Sequence, residues 1–158
     1  MTSLDVIYHG YRREIGGSFI AVEDEAGQQL GVVTHLPRHS PTGLSWGYLG
    51  SGAADCARSL LMAALGDAAT CTACAGTRQI VLAFDEATEE ITEQPYDPDQ
   101  APAVDPELIM SCGTCDDGTR VHPIHYQAFK EEFVARWGEE WTMPREEIVA
   151  WFTQQTPC

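Results

Sequence analysis

The sequence predicts an α+β protein: a small N-terminal antiparallel sheet packed with about three helices, plus an inserted zinc-ribbon-like module. Three observations carry this expectation. Short apolar runs broken by turn residues fill the N-terminal third, as strands of a meander do. Three later stretches repeat apolar residues at helical spacing. Two Cys-x-x-Cys pairs, Cys71/Cys74 and Cys112/Cys115, bracket a segment too polar to build a core of its own.

The elements follow in chain order. Val6-Ile7-Tyr8 is a short apolar run ending near Gly10. Ser18 to Val22 follows the Gly16-Gly17 turn signal and runs into the acidic turn 23–28. Gln29 to Thr34 resumes an extended pattern, so two or three antiparallel strands are expected. Pro37 and Pro41 mark the exit into a loop. A helix is expected from Ala53 to Leu65, with Ala57, Leu60, Leu61, Ala64 and Leu65 on one face. Ser51 is its expected N-cap, Asp55 suits the positive end of its dipole, and Gly66 is the stop.

Beyond Cys71 the character changes. Gln79 to Phe84 reads as a strand with Glu89 to Thr92 as its return, and 94–107, rich in Pro and Asp, reads as an extended or mobile loop. Two helices close the chain. Tyr126, Phe129, Phe133, Val134 and Trp137 line one face of a helix from about His125 to Trp137. A last helix is expected with Thr142 as cap, Pro144 in its first turn, and Ile148, Val149, Trp151 and Phe152 as its apolar side. The expected division is residues 1–70 with 121–158 as one domain, and 71–120 as an inserted metal-binding acidic module.

The charge is lopsided. There are 24 acidic against 9 basic residues, for a net charge of −15. Between Asp85 and Asp117 there are eleven acidic residues and no Lys or Arg. Such a balance repels phosphate backbones, which disfavours nucleic acid and fits a partner with a basic surface, although a solvated loop is the bland reading. No apolar run reaches the ~18 residues of a membrane span, so no membrane association is expected. The N-terminal residues lack the basic start and apolar block of a secretory signal. The expected location is the cytoplasm, where thiols stay reduced and disulfides are disfavoured. Cys56 and Cys158 are accordingly read as free thiols.

Zinc takes four thiolates in a tetrahedron, each about 2.3 Å from the metal, and a Cys-x-x-Cys turn lets two sulfurs reach one ion. Both pairs here are followed by Gly-Thr-Arg, at 76–78 and 118–120. The 37 residues between Cys74 and Cys112 exceed usual ribbon spacing, but loop-closure cost grows slowly with length. One structural zinc on Cys71, Cys74, Cys112 and Cys115 is therefore the expected cofactor; a thioredoxin-like redox pair and an iron–sulfur cluster are the rivals. His122 and His125 lie close behind the second pair and are alternative ligands. Four thiolates close the shell, so the metal is expected to be structural and not catalytic.

Outside the cysteines the signals are weaker. The Gly47-Tyr48-Leu49-Gly50-Ser51-Gly52 turn before a helix superficially resembles a phosphate loop but lacks its Gly-Lys-Ser/Thr ending. Either it packs backbone tightly against a neighbour, or Trp46, Tyr48, Gly50, Ser51, Gly52 and Asp55 form a binding surface. His9, His35 and His39 are scattered; pairing with Asp5, Asp55 or Cys56 would make an acid–base or nucleophile site, and nothing in their spacing supports one.

The stretch Ser40-Pro41-Thr42-Gly43-Leu44-Ser45-Trp46-Gly47-Tyr48-Leu49-Gly50-Ser51-Gly52-Ala53-Ala54-Asp55, with the helix to Leu65 and Gly66-Asp67, resembles the central motif of domain of unknown function 6166, found in bacteria and their phages. That motif runs approximately Ser-Pro-x-Gly-Phe-Glu-Trp-Gly-Tyr-Gly-Gly-Ser-Gly-Pro-Ala-Asp. This chain departs from it at Leu44, Ser45, Leu49 and Ala53. Tyr126 to Lys130 and Val134 to Arg136 resemble its C-terminal part, so the likeness covers about residues 5–67 and 124–153, with 71–120 read as an insertion. The resemblance implies a small α+β domain and no particular activity; any chemistry of the family's Glu would be missing at Ser45.

The functional expectation is a non-enzymatic, zinc-stabilised acidic binding protein, phage- or mobile-element-associated. It would engage a host protein, as an inhibitor or anti-defence nucleic-acid mimic among other options. The alternatives are a small enzyme or nucleotide binder using the turn at 47–52, and nucleic-acid binding through the zinc knuckles.

Overall fold

The computed structural model describes residues 5–15, 17–99 and 104–155. The chain divides into two compact units, residues 1–66 with 123–158 and Asp67–His122.

The first unit is a four-stranded antiparallel sheet and three helices. The strands β1 (Ile7–Arg13), β2 (Gly17–Glu23) and β3 (Gln29–Val32) form the expected meander. The sheet order is β3-β2-β1-β7, where β7 is Trp141–Pro144. This fourth strand corrects the sequence reading. Thr142 does not cap a helix but pairs with His9, and Pro144 pairs with Ile7 at the strand end. Pro suits that terminal position on an edge strand. The two-residue alternation places Tyr8, Ile20, Trp141 and Met143 on the buried face. Gly10 lies opposite Trp141, and a Cβ there would overlap the indole ring. Trp141 stacks on Trp137 with centroids 3.7 Å apart and meets Trp46 edge-on at 5.5 Å.

Helix α1 (Ser51–Leu65) is buried around almost its whole circumference. That is the pattern of a central core helix, not a surface one. Its N-cap is Gly50 and makes no side-chain cap bond, so Ser51 is the first helical residue. Gly66 ends it with φ 54°, a conformation in which glycine avoids the Cβ penalty. Helix α2 (Pro123–Glu132) stops earlier than periodicity suggests, and a 3₁₀ turn at Val134–Arg136 follows. Helix α3 (Arg145–Gln155) buries Ile148, Trp151 and Phe152. Phe129 of α2 and Trp151 of α3 meet edge-to-face at 5.1 Å, and Trp151 Nε1 donates to Glu132 at 2.8 Å.

The second unit holds the cysteines and a three-stranded antiparallel sheet, order β5-β4-β6: β4 (Gln79–Asp85), β5 (Glu90–Pro95) and β6 (Ile109–Ser111). The expected return strand at 89–92 thus lies slightly later and reaches Pro95, and β6 falls just beyond the stretch read as a loop. Thr70 and Thr119 form a bridge, and Arg120 N donates to Ala69 O at 2.7 Å, so the two ends of this unit lie side by side. The unit runs from Asp67 to His122, a few residues beyond 71–120 at each end.

Candidate metal centre

Each Cys-x-x-Cys pair opens a tight backbone turn. After Cys74 the chain takes left-handed dihedrals at Ala75 and Gly76; after Cys115 it does so at Asp117 and Gly118. Thr77 and Thr119 play matching parts. Each hydroxyl donates to the carbonyl three residues back and to the one two residues ahead: Cys74 and Gln79 for Thr77, Asp116 and Val121 for Thr119. The repeated Gly-Thr-Arg is thus a turn device, with Gly at positive φ and Thr pinning both sides.

The two turns are strapped to each other. Cys71 N donates to Gly118 O at 2.9 Å, and Cys112 N donates to Arg78 O at 2.8 Å. Arg78 and Asp117, one from each turn, are paired at 3.0 Å. Gly118 packs so close to Gly76 that a Cβ would lie 2.7 Å from the Gly76 carbonyl oxygen.

This framework gathers the four sulfurs within 4.8 Å of one another. Cys71 and Cys112 Sγ are 3.9 Å apart, and Cys74 and Cys115 Sγ 3.7 Å. Four thiolates about 2.3 Å from one ion have a tetrahedral edge of about 3.8 Å, so the set fits a single metal ion. A disulfide needs about 2.05 Å, and a polynuclear iron–sulfur core would hold its ligands farther apart than one tetrahedral edge. Cys71, Cys74 and Ile80 are buried together, with Ala73, Cys112 and Cys115 packed on them. The Thr114 N–H directed at Cys112 draws its thiol down to about 7. Burial and the neighbouring sulfurs push Cys115 up to about 12. A divalent cation bound here would take the place of any protons that these thiols carry.

The alternative histidine ligands fall elsewhere. His122 Nε2 donates to Thr114 O at 2.9 Å, bracing the second turn from behind. The His125 ring packs edge-on against Phe152 at 5.0 Å. Among the described residues, the four cysteines are the one group placed to hold a metal.

Half of the surface expected at the glycine-rich turn is interior. Trp46 is 1% exposed, Asp55 0%, and Gly52 is buried; Tyr48, Ser51 and part of Gly50 reach solvent. A Cβ at Gly50 would overlap the Tyr48 ring, and one at Gly52 would crowd the Tyr48 hydroxyl and Ser45. The glycines admit a folded-back tyrosine, which is the packing reading of this turn.

Asp55 pairs with His35, one of the pairings left open by the sequence, and also holds a loop. It does not serve the helix dipole, since the first turn of α1 carries no acidic residue. Its carboxylate accepts backbone N–H groups from Arg38, His39 and Ser40, and the Nε2 of His35 at 2.8 Å. Burial alone would raise its pKa, but the His35 bond and the three N–H groups outweigh it and hold the carboxyl below its ordinary value. His39 instead contacts Tyr126 Oη at 2.9 Å. His9 sits between Glu23 at 2.8 Å and Glu140 at 2.5 Å. Burial pushes the Cys56 thiol well above its ordinary value, which removes it as a nucleophile. Cys158 lies outside the described residues. No helix among the described residues is long and apolar enough to cross a membrane.

The comparisons agree with the likeness seen in the Ser40–Asp55 motif. The model of a family described as "Family of unknown function (DUF6166)" matches residues 8–95. The match runs on through Cys71, Cys74 and the β4–β5 hairpin, farther than the 5–67 read from the motif, and it does not extend to 124–153. No curated protein and no solved structure matches the chain. With more than half of its length matched, the chain belongs to the DUF6166 family of unknown function.

Proposed function

We propose that this chain is a non-enzymatic binding protein whose acidic unit, held in shape by one structural zinc ion, engages a basic surface of another protein. The observation that carries the reading is the four-thiol cluster at tetrahedral spacing. A shell of four protein ligands leaves no open position for water or substrate, so its metal organises structure. Zinc is favoured over iron because divalent zinc stands higher in the affinity order and suits tetrahedral thiolate.

The charge supplies the partner class. Residues 67–122 carry twelve of the 24 carboxylates and two of the nine basic side chains, Arg78 and Arg120. Arg78 faces Asp117, and Arg120 donates to Ala68 O. A field of one sign steers oppositely charged partners and repels nucleic acid. A phage or mobile-element factor that occupies the nucleic-acid-binding surface of a host protein would have this character, and a reducing cytoplasm would keep its thiols available.

Two measurements test the reading. Elemental analysis of protein prepared without chelator should give one zinc per chain; iron in its place, or no metal, refutes the cofactor. Capture from a bacterial host lysate at low and high salt should recover a basic protein whose retention falls with salt. Retention independent of salt refutes the electrostatic part.

A further inference from the structure

The β4–β5–β6 sheet has one face that continues outward from the metal centre. Ile80 is buried against Cys71 and Cys74. The two-residue alternation carries the same face on to Leu82 and Phe84. Directly opposed residues share a face, which adds Ile91 opposite Phe84 and Met110 opposite Ile80. Phe84 is 62% exposed, Ile91 70% and Met110 47%. An aromatic–aliphatic cross-strand pair thus stands in solvent at the hairpin end of this face.

Carboxylates border it. Asp85 and Glu90, next along each strand and so on the reverse face, are directly opposed, a like-charge pairing that disfavours the hairpin on its own. Glu86 and Glu89 occupy the turn between them, Glu89 with φ 57°, and Glu93 sits opposite Leu82. No Lys or Arg occurs from Asp85 to Asp117 to offset them. Apolar anchors bordered by charge are the anatomy of a recognition surface: the centre supplies affinity and the rim supplies steering.

We infer that this face, centred on Phe84 and Ile91, is the docking surface for a basic amphipathic segment of a partner protein, with apolar residues at its centre and Lys or Arg around them. The inference rests on the binding-protein reading above and names the face it would use. Charge complementarity selects the occupant. A second copy would bring two acidic hairpins together, and nucleic acid or an anionic membrane is repelled by the same rim.

The test uses the full-length, metal-loaded chain and two synthetic peptides of equal positive charge. One carries Leu and Lys at helical spacing, and the other Lys, Gly and Ser alone. Titration by isothermal calorimetry and amide NMR should show the amphipathic peptide binding at least tenfold more tightly, with shifts at Leu82, Phe84, Ile91 and Met110. Phe84→Asp and Ile91→Asp should each remove that advantage while metal content is unchanged. Ile15→Asp, at an exposed apolar residue of the other unit, should leave it intact. If a variant loses its metal, the shift map on the unaltered protein decides. Equal binding of both peptides, or shifts elsewhere, overturns the docking face and leaves the acidic-binder reading standing. Binding of neither peptide at low salt overturns both.

Discussion

Replacing Asp55 by Ala should destabilise the unit formed by residues 1–66 and 123–158 more than most single substitutions. The carboxylate is fully buried and accepts from three consecutive backbone N–H groups and from His35. Hydrogen bonds to a charged group contribute about 1.5–3 kcal/mol each, but they share one acceptor and do not add. Deleting one side of a buried charged network costs about 3–5 kcal/mol, because the remaining groups stay desolvated. For a chain of this size each kcal/mol moves Tm by about 2–4 °C, so Asp55→Ala should lower it by roughly 6–20 °C. Differential scanning calorimetry of the metal-loaded protein measures this, with exposed Asp67→Ala as the control expected to stay within about 0.5 kcal/mol. The pH dependence gives a second readout. Because the native pKa lies below its ordinary 3.8, the stabilisation is present above that value and lost as pH falls through the native one. Asp55→Asn should flatten that acid limb. A Tm change under about 2 °C for Asp55→Ala, with the acid limb intact, would refute the claim that this carboxylate holds the 38–40 loop.

Further outcomes follow from the same contacts. Cys74→Ser should reduce metal content and abolish the cooperative melting of the Asp67–His122 unit, measured by elemental analysis and hydrogen exchange. Gly118→Ala forces a Cβ into the Gly76 carbonyl at a φ of +84°, and should cost about 1–3 kcal/mol through overpacking and strain, whereas Gly113→Ala has open space and should be close to neutral. For His9, burial alone would lower the pKa, but hydrogen bonds to Glu140 and Glu23 outweigh it and the value is raised above 6.5. Its stabilising contribution is therefore present below 6.5 and lost as pH rises through the native pKa. Glu140→Gln should bring the His9 titration down, read by NMR of the imidazole.

The metal cluster was legible because its signal is local: two sulfurs three residues apart must share a turn, and the repeated Gly-Thr-Arg marks where that turn reverses. The N-terminal meander and α1 were legible for the same reason, their periods being short. The misses are non-local. Asp55 looks like a helix-dipole residue until the loop 15–17 positions upstream folds over it. Trp141–Pro144 carries a helix-start pattern in Thr142 and Pro144, yet β1 offers an open edge that a nearby extended segment fills. Ile109–Ser111 is too short to show a period of two. Trp46 lay in a glycine-rich turn that read equally as packing or as surface; Trp141, from far along the chain, meets its ring and decides for packing.

The side-by-side ends of the Asp67–His122 unit have a consequence for the rest of the chain. Ala69 and Arg120 are hydrogen-bonded, so with its metal in place this unit presents the surrounding chain with a short link instead of a long tether. Shortening an internal loop from roughly fifty residues to about half a dozen lowers the entropy cost of closing it by about 2 kcal/mol. That loop joins α1 to α2 and is closed when the two helices pack on each other. The ion would thus stabilise helices that contain none of its ligands, by polymer statistics alone. A chelator should then lower the melting temperature of the outer unit, and a short Gly-Ser link in place of 70–119 should restore it without metal.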